Sequence, residues 1–122
     1  MSKKKFYSLC RYVEKTTGNI KEGYMPREGY DVPNDFGFDL AVYRAKDSSA
    51  SPNWNRATIW FVVDTVTGLS VAQGDTKNKA IDAAFSRLET LDRDKYRDVV
   101  KDMESKHGPV PGRRITYNFI AN

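Results

Sequence analysis

The 122 residues are 39% hydrophobic, 30% charged and 12% aromatic, a balance that suits one globular domain with a polar surface and excludes a default of intrinsic disorder. No apolar run approaches the roughly 18–20 residues that cross a bilayer. The Met1-Ser2-Lys3-Lys4-Lys5 start lacks a signal peptide's apolar stretch, and one cysteine (Cys10) with one histidine (His107) excludes an intrachain disulfide and any multi-Cys or His-rich metal site.

In chain order, residues 6–13 are rich in aromatic and β-branched side chains and predict a strand that ends at the turn signal Thr16-Thr17-Gly18-Asn19. From Ile20 to Gly37 neither the helical nor the strand period is visible, and Gly and Pro recur, so a long connection is expected there. Such connections often carry binding functions. This one contains two similar strings, Glu22-Gly23-Tyr24 and Glu28-Gly29-Tyr30. On that basis Tyr24 and Tyr30, with Met25 and Arg27 beside them, are the candidate protein-binding residues, since tyrosine offers a large, rigid, amphipathic contact. The competing reading folds both rings back beneath the loop as a small core.

Residues 38–44 alternate as a strand, and residues 47–53 are the most loop-like stretch of the chain. Residues 57–63 carry almost nothing polar, which predicts an interior strand buried on both faces. A turn over residues 64–68, with Gly68 supplying a positive φ, returns the chain into a strand at residues 69–72. A helix capped by Asp75 or Thr76 then lines up Ile81, Ala84, Phe85, Leu88 and Leu91. A second helix starts near Asp92, turns Tyr96, Val99, Val100 and Met103 inward, and stops at Gly108-Pro109. Residues 114–120 alternate as a closing strand. The expected fold is therefore α+β: one domain over residues 1–122, with a single antiparallel sheet of about four or five strands and two helices packed on one face. Its expected core comprises Phe38, Leu40, Val42, Ile59, Phe61, Val63, Val71, Ile81, Phe85, Leu88, Val99, Val100 and Met103.

Catalytic equipment is sparse. His107 lies in a helix's last turn, where the dipole favours a cation, and Cys10 lies within a strand pattern as a small apolar residue. Asp39 and Asp64 flank strands, but no third ligand is spaced to complete a metal site. There is no Gly-rich phosphate loop and no nucleophile elbow. A non-enzymatic protein in a cytoplasmic setting, with no cofactor and no membrane partner, is the expectation.

Charge is uneven. Residues 1–27 hold seven basic and two acidic groups, residues 28–75 three and seven, and residues 76–122 ten and seven. Basic ends around an acidic middle offer a phosphate-binding surface if the fold brings the ends together. The candidates are Lys3, Lys4, Lys5, Lys77, Lys79, Arg113 and Arg114.

Residues 58–91 run as a hairpin, then Gly74-Asp75-Thr76-Lys77-Asn78-Lys79-Ala80, then a helix. This resembles the last half of a double-stranded-RNA-binding domain, which implies phosphate contacts for Lys77 and Lys79 and sheet-packing roles for Ala80, Ala83 and Ala84. Asn78 and Ile81 depart from that pattern, and no N-terminal helix is visible. The same turn is similar to that of HicB-type antitoxins and of small phage or mobile-element proteins, anti-CRISPR inhibitors among them. Two functions follow as expectations: a protein-interaction module, such as an inhibitor of a host-defence complex, or an RNA- or DNA-binding protein.

Overall fold

The computed structural model describes residues 2–14, 16–46 and 58–111. Five strands, β1 (Lys3–Val13), β2 (Ile20–Val32), β3 (Leu40–Lys46), β4 (Thr58–Asp64) and β5 (Ser70–Gly74), precede two helices, α1 (Lys77–Glu89) and α2 (Arg93–His107). The strands form one sheet in sequence order, each antiparallel to the next. This is the expected α+β architecture. No helix among the described residues is long and apolar enough to cross a membrane.

Alternation along β3 and β4 sorts apolar side chains to both sides of the sheet. On the helix side, Val32, Leu40, Val42, Val62 and Ala72 meet Ala80, Ile81, Ala84 and Leu88 of α1. On the opposite side Phe6, Ala41, Tyr43 and Val63 form a second cluster, with Tyr43 stacked on Phe61 and edge-on to Phe6 at 5.6 Å each. Val62 and Val63 are adjacent and both fully buried, which is why β4 reads as a continuous apolar run. Tyr96 of α2 reaches the helix-side cluster. Its hydroxyl donates to Asp64 Oδ2 at 2.5 Å, while the Val66 N–H donates to Oδ1 at 3.1 Å. Asp64 is fully buried, and a carboxylate withdrawn from water requires such donors.

The long β1–β2 hairpin departs most from expectation. The stretch expected to be a loop from Ile20 to Gly37 is instead strand β2 up to Val32, paired with β1 from Lys3↔Tyr30 to Val13↔Ile20. Its pattern was hidden because both faces are largely half-exposed, so no polar–apolar alternation marks it. β2 pairs with β3 over Tyr30–Val32 alone, leaving the rest of the hairpin as an arm. Pro26 is tolerated because that part of β2 carries a ladder on one side only. The arm returns to the body where the Leu9 N–H donates to Gly68 O at 2.7 Å. Gly68 has the expected positive φ, 78°. At the other end of the sheet, Arg87 donates to Val71 O at 2.9 Å and so occupies a carbonyl of edge strand β5.

Other differences are smaller. Val99, expected in the core, is 51% exposed: α2 touches the body along a narrow seam through Tyr96 and Met103, and Val99 lies on its shoulder. Ile59, Phe61, Val71, Phe85 and Val100 are half-buried, and the other expected core residues are buried. Thr76 caps α1, its Oγ1 accepting from the Lys79 N–H, and Asp92 caps α2. The loop expected at residues 47–53 and the closing strand at 114–120 lie outside the described residues.

Candidate functional site

Two elements, β1 and α1, place basic residues beside Tyr30 of β2. Lys3 is the cross-strand partner of Tyr30, so the two share the helix-side face of the hairpin's base. Lys77 opens α1 and holds its ammonium 5.3 Å from the centre of the Tyr30 ring, within cation–π range. α1 can start this close to the sheet because Gly74 has no side chain: a Cβ there would lie 2.6 Å from the Ala80 nitrogen. The first turn of α1 carries no acid, so Lys77, exposed Lys79 and the positive end of the helix dipole add rather than cancel.

The candidate cations differ in how far they are neutralised. Lys4 points to the other face and binds Asp39, with Asp31 at 3.3 Å. Lys5 faces Glu28 at 3.7 Å. Among the described residues, Lys3, Lys77 and Lys79 have no carboxylate within ion-pair distance. A groove of about 520 Å³ is lined by Lys3, Lys4, Lys5, Glu28, Gly29 and Tyr30. Arg113 and Arg114 lie outside the described residues.

The residues singled out for protein binding separate. Tyr24 turns inward: its hydroxyl donates to Gly108 O at 2.7 Å and its ring meets the His107 ring edge-on at 6.4 Å. Burial, then the nearby Glu104 charge, pushes its hydroxyl pKa upward. Arg27 donates to Ser8 Oγ at 3.0 Å and Cys10 Sγ at 3.1 Å, and its guanidinium lies 5.0 Å over the Tyr43 ring. Tyr30 is half-buried under Lys77, whereas Met25 stays 38% exposed. Tyr24 and Arg27 thus tie the arm to the body, Tyr24 against the end of α2 rather than beneath a loop of its own.

Sequence reasoning missed the Arg27–Ser8–Cys10–Tyr43 cluster and the bond between Glu22 Oε1 and His107 Nε2 at 2.8 Å. The second joins groups 85 positions apart, and no local pattern marks it. Among the described residues no three His, Cys, Asp or Glu side chains gather as a metal site. Asp39 engages Lys4, and Asp64 engages Tyr96. No protein-family model, no curated protein and no solved structure matches the chain.

Proposed function

We propose that this is a non-enzymatic cytoplasmic binding protein whose working surface is the basic face around Tyr30, and that its ligand is the phosphate backbone of RNA or DNA. The observation that carries this reading is the placement of Lys77 over the ring of Tyr30, the cross-strand partner of Lys3, with no carboxylate within ion-pair distance of either lysine among the described residues. Ammonium groups supply non-directional attraction to phosphates, and the binding they give is independent of base sequence.

The test is fluorescence anisotropy with mixed-sequence single-stranded RNA and duplex DNA of about 20 nucleotides or base pairs, between about 50 and 200 mM salt. Binding to mixed sequences that weakens steeply with salt is expected. Changing Lys3, Lys77 and Lys79 together to Ala should weaken it equally for all sequences and lower the salt slope by about one per lysine. Absence of binding by the unmutated protein at the lower salt overturns the reading.

A second reading has its own support: Ile20 is 74% and Met25 38% exposed, both on the arm, so a protein partner would find apolar contacts there. An inhibitor of a host-defence complex is the form that the small-protein resemblance implies. Binding to such a complex that is lost with Ile20→Ser and Met25→Ser, but untouched by the lysine changes, is what this reading expects.

A further inference from the structure

We propose that the nucleic acid taken by the basic face is single-stranded and that one of its bases stacks on the ring of Tyr7, a site that rests on the phosphate-binding reading of that face.

Alternation puts Lys3, Lys5 and Tyr7 on one face of β1, and their cross-strand partners Tyr30, Glu28 and Pro26 on the same face of β2. Two grooves lie along this part of the hairpin. The first is the one lined by Lys3 and Tyr30. The second, of about 530 Å³, also has Lys5 and Glu28 in its wall, so the two adjoin. Its lining further includes Tyr7 and Pro26 of the hairpin and Val110 and Pro111, just beyond α2. Charge is graded from one groove to the next. Lys3 and Lys77 stand at the Tyr30 end, and the one acid lining either groove, Glu28, faces Lys5 at 3.7 Å. The Tyr7 end, with Pro26, Val110 and Pro111, is aromatic and apolar.

Tyr7 is the tyrosine left uncommitted. Tyr24 bonds Gly108 O, Tyr30 lies under Lys77, Tyr43 stacks on Phe61 and Tyr96 bonds Asp64. Tyr7 is half-buried in the groove wall, and among the described residues its side chain has no hydrogen bond, ring contact or cation–π partner. The four residues from Lys3 to Tyr7 span about 13 Å of extended strand, about the length of four stacked nucleotides. A strand whose phosphates lie at Lys3 and Lys77 therefore reaches Tyr7 with a base. A duplex offers the same phosphates but keeps its base faces stacked inside, so only a single strand supplies both contacts. Every base has a π-face, and stacking on tyrosine adds affinity with little sequence preference.

The test compares three probes by fluorescence anisotropy at about 50 and 150 mM salt: a mixed-sequence single-stranded RNA of about 12 nucleotides, an abasic strand of the same length, and a duplex of the same sequence. At the higher salt the unmutated protein should bind the single strand about fivefold or more tightly than either of the others. Tyr7→Ile keeps an apolar, β-branched side chain in the strand and should remove that advantage, leaving the abasic affinity and the salt slope unchanged. Tyr7→Phe retains the ring and should keep the advantage. Equal affinity for the base-bearing and abasic strands, or a duplex bound as tightly as the single strand, overturns the stacking site while the phosphate reading stands. So does an advantage that persists in Tyr7→Ile. Absence of binding to all three probes at the lower salt overturns both and leaves the groove to a protein partner.

Discussion

Tyr24 and Tyr30 stand in matching Glu-Gly-Tyr contexts on the same face of one strand, yet the fold holds them in different ways. Tyr30 lies where β2 joins β3, packed on the helix-side core and roofed by the Lys77 ammonium. Tyr24 lies on the arm, where its ring rests on Gly68 and its hydroxyl bonds the carbonyl that ends α2. The first is secured to the body by the ladder to β3 and by apolar packing, the second by a few side-chain contacts to Gly68, His107 and Gly108. A strand's chemistry is therefore set less by its own residues than by what topology places against it.

The largest test of this contrast is at the base of the arm. A Cβ at Gly29 would lie 2.1 Å from Val42 O, a backbone atom that cannot yield without moving β3. Gly29→Ala should therefore destabilise the protein by about 3 kcal/mol in urea unfolding. A change under about 0.5 kcal/mol would mean that the two strands are not held so closely.

A smaller effect separates the two tyrosines themselves. Tyr24→Phe deletes the donor to Gly108 O and should cost about 1 kcal/mol. Tyr30 acts through its ring, against the core and Lys77, so Tyr30→Phe should stay within about 0.5 kcal/mol. Equal losses from the two changes, measured by the same unfolding curves, would erase the distinction.

The smallest effect is on pH dependence. Glu22's folded pKa is depressed, by His107 first and then Arg11. Its contribution is therefore fully present above the unfolded carboxylate value, near 4.3 as an approximate reference, and is lost as pH falls through the lower folded one. The pair is open to solvent, so the effect should be no more than about half a kcal/mol. Glu22→Gln should lower Tm slightly between pH 5 and 6, and the gap should close near pH 3, as a matched series of thermal melts would register.

Local patterns made much of the body legible. Thr76 and Asp92 are caps with the right side-chain oxygens, Gly68 supplies the turn, and the apolar run of β4 announces a strand covered on both faces. For the site, Lys77 and Lys79 were legible as the basic opening of α1, and Lys3 as one of a basic terminal group. β2 was not legible, because a strand with both faces half in water carries no alternation to read.

By itself, the sequence determined the class of fold, the strands β1, β3, β4 and β5, and the two helices with their capped starts, since each follows from side-chain periodicity and hydrogen bonding within a few residues. Only the tertiary structure decided that β2 is a strand and that Lys77 lies over the ring of Tyr30, the cross-strand partner of Lys3, while Asp39 takes up Lys4. It likewise decided that Glu22 reaches His107 across 85 positions. Those contacts depend on how far the hairpin extends past β3 and where α2 ends, and distances between elements remote in the chain are not encoded in the local order of residues.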